Sequence, residues 1–390
     1  CWLVHTKLFS LRPDPRWLTS FYLVVAAGGW LGGLLMSLGP PTLLDTMVDV
    51  ELAALFTGAT LLWTVGLPSR DEWLKVPVFF RLPRLCVMGL MGLSLVFFHV
   101  NQRDTGVVAT HRNFYGTFLV RDVQDEGLFP FRSIRHGAAT VHGLQYLEGP
   151  LSGAPLSYYH YGGPSQQSLA LRSRPANVGV VGLGAGSIAG FMQPGERIVF
   201  YEIDADNEGL ARQWFTFLGN CKGEVDVRVG DARLLLAVEP DQQLYDAIFV
   251  DAFYGDAIPL HLLTVEALET YLSRLTEDGL LVLHLSNRYY DLRGVVSRLA
   301  DELGLYAAWK VGSADPSVFD DLLIHPSTVM TLSRKREPID QLIGDGWTLA
   351  GPGQPFESPL WTDDYQNVLR PLWHKMTLRL KLAVGVNSGE

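Results

Sequence analysis

Three glycines at alternate positions, set directly after an apolar run, constrain this chain more than any other feature. Residues 177–181 read as a buried strand, and Gly182-Leu183-Gly184-Ala185-Gly186 follows at once. Glycine lets the backbone turn tightly there and come close to a ligand that a Cβ would exclude. Twenty residues after Gly182, Tyr201-Glu202-Ile203-Asp204 closes a second strand with an acid. A dinucleotide fingerprint wants its third glycine five residues after the first, where this chain has Ser187. The G-x-G-x-G spacing therefore favours a ligand of the S-adenosylmethionine type over NAD. Alone, the glycine run is equally consistent with an unrelated turn, so its downstream partners decide.

Those partners come in alternation. Strands are expected at 197–201, 225–229, 247–250 and 280–285, with helices at 205–218 and 261–275. Strand and helix in turn imply a parallel sheet with right-handed crossovers. Ligands of such sheets sit at the carboxyl ends of the strands. Four markers fall on those ends: the glycine loop (Gly182, Gly184, Gly186), Glu202, Gly230-Asp231-Ala232 and Asp251. Glu202 offers two acceptor oxygens to a ribose diol, and Asp231 can accept from an adenine amino group. A turn or helix-cap carboxylate is the plainer alternative for Asp231. Asp251 ends the apolar run 247–250, where an unpartnered carboxylate would be costly; Asp256 adds a second acid over the same crevice. Upstream, 106–111, 114–123, 131–135 and 140–147 cluster β-formers between turn residues and read as a small antiparallel unit.

The first hundred residues are of another kind. Residues 17–44, 52–69 and 85–102 carry no charge, and about 20 apolar residues span a bilayer. The first stretch is expected to span, with the other two as further candidates. It is too long for a secretory signal and lacks a small-residue cleavage site. The start at Cys1 rather than Met leaves room for upstream sequence. Gly28, Gly29, Gly32 and Gly33 make 17–44 a candidate surface for a second copy or a membrane partner, although glycine is also simply tolerated there. Lys7, Arg12, Arg16, Arg70, Lys75, Arg81 and Arg84 flank the stretches so that 1–16 and 70–84 face the cytoplasm. A third true span would put the globular part outside. The favoured reading keeps that part cytoplasmic and makes 85–100 an interfacial or re-entrant helix.

Net charge −10 without a basic run argues against nucleic acid, whose phosphates need clustered Lys and Arg. Cys1, Cys86 and Cys221 make no disulfide framework. His136, His142 and His160 lack chelating spacing, so no metal is expected. Thr362-Asp363-Asp364 fits a helix N-cap with acids in the first turn better than a substrate contact. Tyr158, Tyr159 and Tyr161 either cover the β-unit or offer ring faces to a cation.

At this point the residues become recognisable. From about residue 107 to residue 335 the chain resembles the spermidine/spermine synthase (aminopropyltransferase) family, and as a whole it resembles bacterial membrane-fused spermidine synthase-like proteins. The likeness is carried by Phe114-Tyr115-Gly116, His142-Gly143-Leu144-Gln145, Ser157-Tyr158-Tyr159, Val250-Asp251-Ala252-Phe253, Gly255-Asp256-Ala257-Ile258-Pro259, Leu285-Ser286-Asn287-Arg288-Tyr289 and Trp361-Thr362-Asp363-Asp364-Tyr365. The resemblance implies an α/β, Rossmann-like methyltransferase-type domain (166–340) behind a small β-domain (104–165), a transmembrane region (1–103) and a C-terminal extension (341–390). It makes Glu202 the ribose acid, Asp231 the adenine partner, Gln145 a neighbour of the nucleoside, and Tyr158 a wall of the amine site. Asp251 becomes the acid that positions or deprotonates the attacking amine, with Asp256 beside it.

Three departures stand out. Ala185 replaces the family's aspartate in the glycine loop, the usual Asp-x-x-Asp pair is reduced to Asp251 and Asp256, and Ser313-Ala314-Asp315-Pro316-Ser317 stands where a Pro-Thr-Tyr-Pro segment closes the amine pocket. The leading expectation is a multi-pass protein of the bacterial inner membrane that transfers an aminopropyl group from decarboxylated S-adenosylmethionine to an amine held between acidic walls. The alternatives are another S-adenosylmethionine-dependent transferase, or a silent structural or transport-related subunit that kept the fold.

Overall fold

The computed structural model describes residues 8–44, 106–125, 128–137, 140–172, 175–252, 259–312 and 325–383, together with His5, Ala53, Phe56 and Thr57. Contacts divide the chain into two compact units, 1–119 and 120–390. In the first, helix α1 (Leu18–Leu43) follows a 3-10 turn at Pro15–Trp17 whose Asp14 side chain accepts from the Arg16 N–H. The apolar stretch Pro15–Leu43 has a mean hydropathy of 1.7, and none of it is buried. Among the described residues it is the one helix long and apolar enough to cross a bilayer. A Cβ added at Gly28, Gly29, Gly32 or Gly33 would meet nothing within 4 Å among the described residues. The charge-free stretches 52–69 and 85–102 lie outside the described residues, apart from Ala53, Phe56 and Thr57.

Strands β1 (Val107–Asn113), β2 (Gly116–Val123), β3 (Phe131–His136) and β4 (Thr140–Tyr146) make a four-stranded antiparallel sheet in that order, close to the expected spans. The division between units falls within β2. A short helix α2 (Pro164–Ala170) leads into the main sheet. This sheet holds β5 (Asn177–Val181), β6 (Arg197–Glu202), β7 (Glu224–Val229), β8 (Tyr245–Val250), β9 (Leu275–His284), β10 (Tyr306–Gly312), β11 (Ser327–Ser333) and β12 (Thr348–Leu349). Its order is β12-β10-β11-β9-β8-β5-β6-β7, with β5 to β9 parallel and β11 antiparallel to both neighbours. This is the α/β Rossmann-like sheet of methyltransferase type.

The central strands read as unbroken apolar runs because both faces are covered. Val178, Val180, Ile198, Phe200, Ala247, Phe249, Leu280 and Val282 face one core, and Val199, Tyr201, Ile248, Val250, Leu281 and Leu283 face the other. The first core is closed by α2, by Ala211 of α3 (Ala205–Trp214), and by Ile339 and Leu342 of α7 (Glu337–Gly344). The second is closed by α4 (Ala232–Ala237), α5 (Val265–Ser273) and α6 (Arg293–Glu302). A final helix, α8 (Leu369–Ala383), follows β12.

Three local expectations are corrected. Helix α3 stops at Trp214 rather than Leu218, because Phe215 turns extended and Phe215, Phe217 and Leu218 are buried instead of continuing the helix. The expected helix 261–275 is a 3-10 turn at Leu260–Leu262, then α5 capped by the Thr264 hydroxyl, and Leu275 already belongs to β9. Thr362-Asp363-Asp364 caps no helix. Thr362 and Tyr365 close a tight turn, and Arg233 grips the Asp363 carboxylate with two 2.8 Å bonds while Thr264 Oγ1 adds a third. That fork holds the Asp363 carboxyl down at about 2.

Between α2 and β6, Arg172 and Glu196 form an ion pair at 2.7 Å with both side chains almost fully buried. Removing one member strands a charge in the core, which typically costs about 3–5 kcal/mol. Glu196→Ala is expected to lower the stability of the full chain by that amount, read as a fall in the denaturant midpoint. Replacing both residues by apolar ones of similar volume should recover most of it.

Candidate functional site

The site is built where β5 and β8 end side by side. The Asp251 N–H donates to the Val181 carbonyl at 2.9 Å, and the Gly182 N–H donates to the Tyr201 carbonyl at 2.8 Å. Gly182 takes φ +97°, and a Cβ there would lie 2.5 Å from the Asp251 carbonyl oxygen. Gly184, at φ +56°, passes equally close to the His142 carbonyl of β4. The glycines therefore allow two backbone approaches, one to the end of β8 and one to β4. Ala185 is buried beside them: its N–H donates to the His142 carbonyl at 3.2 Å, and its methyl packs against Gly143.

Glu202 ends β6 and turns its carboxylate into the loop. It accepts from the Leu183 N–H, the Asp204 N–H and Asn207 Nδ2, each at 3.0 Å. A carboxylate has about four acceptor positions, so roughly one remains for a ligand hydroxyl, fewer than a whole ribose diol asks. Burial pushes the Glu202 carboxyl up, and the three donors pull it partly back. Asp231, after the bend at Gly230, caps α4 by accepting from the Leu234 N–H at 3.1 Å, and its other oxygen lies 3.8 Å from His261 Nε2. Gln145 is buried and accepts from the Thr216 N–H at 2.9 Å, joining β4 to the segment after α3.

Asp251 has two close partners. Tyr159 donates its hydroxyl to Oδ2 at 2.5 Å, and His284 Nδ1 meets Oδ1 at 2.6 Å. Beyond it, His284 Nε2 lies 2.8 Å from Ser286 Oγ, which accepts the Thr328 N–H at 2.8 Å. An ionised Asp251 carboxylate can only accept, so in the neutral imidazole Nδ1 carries the proton towards it and Nε2 accepts from the Ser286 hydroxyl. Tyr158 stacks on the imidazole with centroids 4.5 Å apart. Burial first, and then the charge of Asp251, push both Tyr158 and Tyr159 well above the usual phenol range, so both hydroxyls stay protonated.

Beside this chain lies a cavity of about 440 Å³, whose lining includes His142, Tyr158, His284, Ser286, Arg288 and Lys375. Its described lining carries no carboxylate; the expected acidic walls are replaced there by histidines, Arg288 and Lys375. Asp251 is not part of that lining and reaches it only through its bond to His284. Asp256 lies outside the described residues, as do 313–317. Among the described residues no group of His, Cys, Asp and Glu is arranged to hold a metal.

His284 and Lys375 escaped the reading of the sequence, while Ser286 and Tyr159 were quoted within motifs of the resemblance, Tyr159 also as one of an aromatic cluster, without a role at Asp251. One signal was available for the histidine. The register sets Val250 beside Leu283, so the polar residues that close two adjacent apolar strands, Asp251 and His284, must meet.

No family model matches this chain. It is 26% identical over 215 residues to a polyamine aminopropyltransferase of Vibrio vulnificus (strain CMCP6), covering 54% of this chain and 69% of that protein. The chain is a distant homologue of the polyamine aminopropyltransferases. Solved structures to which it is similar include a probable spermidine synthase from Corynebacterium glutamicum ATCC 13032, at 20% identity and TM-score 0.44, covering 63% of this chain and 92% of that one. Another is the spermidine synthase from Thermotoga maritima, at 13% identity and TM-score 0.42, covering 70% and 88%. Among the described residues, Ala185 in the loop and Arg288 and Lys375 on the cavity lining depart from the acidic residues that the resemblance implied.

A raised carboxyl makes Glu202 a pH-dependent element of the loop. Its stabilising share is fully present below its ordinary 4.5 and is lost as pH rises through the higher folded value. Glu202→Gln should therefore flatten the fall in denaturant midpoint just above pH 4.5, whatever its effect on absolute stability. An unchanged slope would refute the assignment.

Proposed function

We propose that this chain is a membrane-anchored, spermidine synthase-like transferase. It would move the aminopropyl group of decarboxylated S-adenosylmethionine to an amine. The observation that carries this reading is the buried Asp251–His284–Ser286 chain at the end of β8 and β9, set between the glycine loop and a cavity. Distant homology to the polyamine aminopropyltransferases supports the donor and the amine class.

The nucleoside would lie along Gly182, Gly184 and Gly186, with Glu202 and Asp231 at its ribose and adenine and Gln145 holding the covering strand β4. An amine is protonated near neutral pH and cannot attack until it loses that proton. His284, on the cavity wall, takes it at Nε2 once Ser286 yields its hydrogen bond, and Asp251 behind it stabilises the imidazolium and fixes the ring. The amine nitrogen then bonds to the carbon next to the sulfonium. The carbon–sulfur bond breaks, and its electron pair leaves with methylthioadenosine. Tyr158 bounds the amine, and Asp256, five residues after Asp251 in the sequence, is the further acid proposed for it. Helix α1 would anchor the chain in the inner membrane, in the multi-pass manner that the resemblance to membrane-fused proteins implies, with the globular part on the cytoplasmic side.

A second reading rests on Ala185. Its methyl, packed on Gly143, puts no carboxylate opposite the donor's tail, so an intact S-adenosylmethionine, whose own carboxylate an aspartate would repel, is compatible with this loop.

The deciding assay follows methylthioadenosine release from decarboxylated S-adenosylmethionine with a panel of diamines and polyamines. Asp251→Asn and His284→Gln should each lower turnover by about 100- to 10,000-fold, the usual worth of general acid–base assistance. Calorimetric binding of methylthioadenosine should survive both changes. Full activity in Asp251→Asn would overturn the proton route. Release supported by S-adenosylmethionine and not by its decarboxylated form would select the second reading, and no nucleoside binding at millimolar concentration would sink both.

A further inference from the structure

Helix α8 leaves an apolar stripe bare. Leu369, Trp373, Met376 and Leu380 are 70%, 73%, 48% and 63% exposed. At about 100° per residue they fall within an arc of roughly 60°. The opposite face is pinned to the body of the second unit. His374 Nδ1 meets Asp291 Oδ2 at 3.0 Å, its ring stacks on Phe356 with centroids 4.4 Å apart, the Asp291 N–H donates to the Pro371 carbonyl, and Arg379 Nη2 donates to the Arg288 carbonyl at 2.7 Å. The stripe is thereby held outward, and it does not fray from an element that packs elsewhere.

Charge on α8 has one sign. Arg370, Lys375, Arg379 and Lys381 are its charged residues, and it carries no acid. Lys375 lines the cavity, while Arg370 and Lys381 flank the stripe on one side and Arg379 on the other, about 80–120° from its centre on a regular helix; Arg370 Nη1 and Arg379 Nη2 each donate to a carbonyl of the body, that of Glu357 and of Arg288, which leaves the remaining guanidinium donors for phosphates. An apolar stripe with a tryptophan, bordered by long cationic side chains, is the arrangement by which a helix lies in a bilayer interface: the stripe enters the acyl boundary and the charged heads reach the phosphates. A second copy is the poorer occupant, because two such helices would face one another with like charge.

We infer that α8 is an interfacial helix that seats the catalytic unit on an anionic lipid surface. This inference rests on the reading of α1 as a membrane anchor, which keeps a bilayer within reach. The same helix supplies Lys375 to the cavity, so one wall of the candidate site is held by the lipid-seated element.

The test uses the full chain in vesicles, with Cys1, Cys86 and Cys221 changed to serine and an environment-sensitive fluorophore on Met376→Cys. A parallel sample carries the probe on Gly29→Cys in α1. In phosphatidylcholine vesicles containing an equal part of phosphatidylglycerol, the Met376 probe should shift to the blue, and its quenching by iodide should fall roughly threefold or more relative to phosphatidylcholine alone. The difference should shrink in 1 M salt, where the Debye length is about 3 Å, and in Arg370→Gln/Lys381→Gln, whose circular dichroism reports retained folding. A Met376 probe that stays open to iodide in anionic vesicles while the Gly29 probe is shielded would overturn the α8 inference and leave the anchor standing. Both probes open would overturn both. Shielding that grows with protein density and comes with Met376→Cys crosslinks would give the stripe to a second copy and overturn the lipid assignment.

Discussion

A carboxylate buried at the carboxyl end of a strand is costly unless donors surround it, and Asp251 obliges the rest of the site to supply them. Tyr159 comes from the 3-10 turn after the β-unit, and His284 from the neighbouring strand β9. Because His284 must present Nδ1 to the acid, its Nε2 faces Ser286, and Ser286 is in turn held by the Thr328 amide of β11. One charge thus ties three separate segments into a single hydrogen-bonded line beside the cavity. The same requirement fixes the stack of Tyr158 on the imidazole. Breaking the line at Asp251 would remove a charge and also leave a tyrosine hydroxyl and an imidazole without their acceptor.

Glu202 plays the corresponding part on the other side of β5. Three of its acceptor positions go to Leu183, Asp204 and Asn207, so much of its work is to hold the loop in shape. Asp231 is divided in the same way between capping α4 with one oxygen and standing 3.8 Å from His261 Nε2 with the other. Acids that look in a sequence like free ligand contacts are here partly spent on the backbone turns that create the crevice. A nucleoside bound there would meet a preformed loop and lose little free energy to ordering it.

The covering β-unit makes the departures from the aminopropyltransferase pattern legible as packing. Gly143 admits Ala185, the His142 carbonyl receives the loop amide, and Gln145 fastens β4 to the segment after α3. A loop aspartate would place its carboxylate at this close contact. The cavity beyond carries Arg288 and Lys375 among its described lining, a charge balance unlike that expected of a polyamine pocket.

The architecture was written in residues close together in the chain. Apolar runs of strand length, glycines that must turn, and acids closing strands specify a doubly wound sheet with Gly182, Glu202, Asp231 and Asp251 at the carboxyl ends of its strands, because period and backbone freedom are local properties. The uncharged run 17–44 specified α1 for the same reason. What those side chains do once folded depended on partners far along the sequence. Asp251 meets His284 across 33 positions and Tyr159 across 92, and Asp363 leaves its expected cap for Arg233 across 130. The early end of α3 follows from the burial of Phe215, Phe217 and Leu218, and the outward set of α8 from His374 reaching Asp291 across 83 positions. Hydrogen-bond partners and buried faces are chosen by the packed chain, whereas a strand's period and a glycine's turn are fixed before it packs.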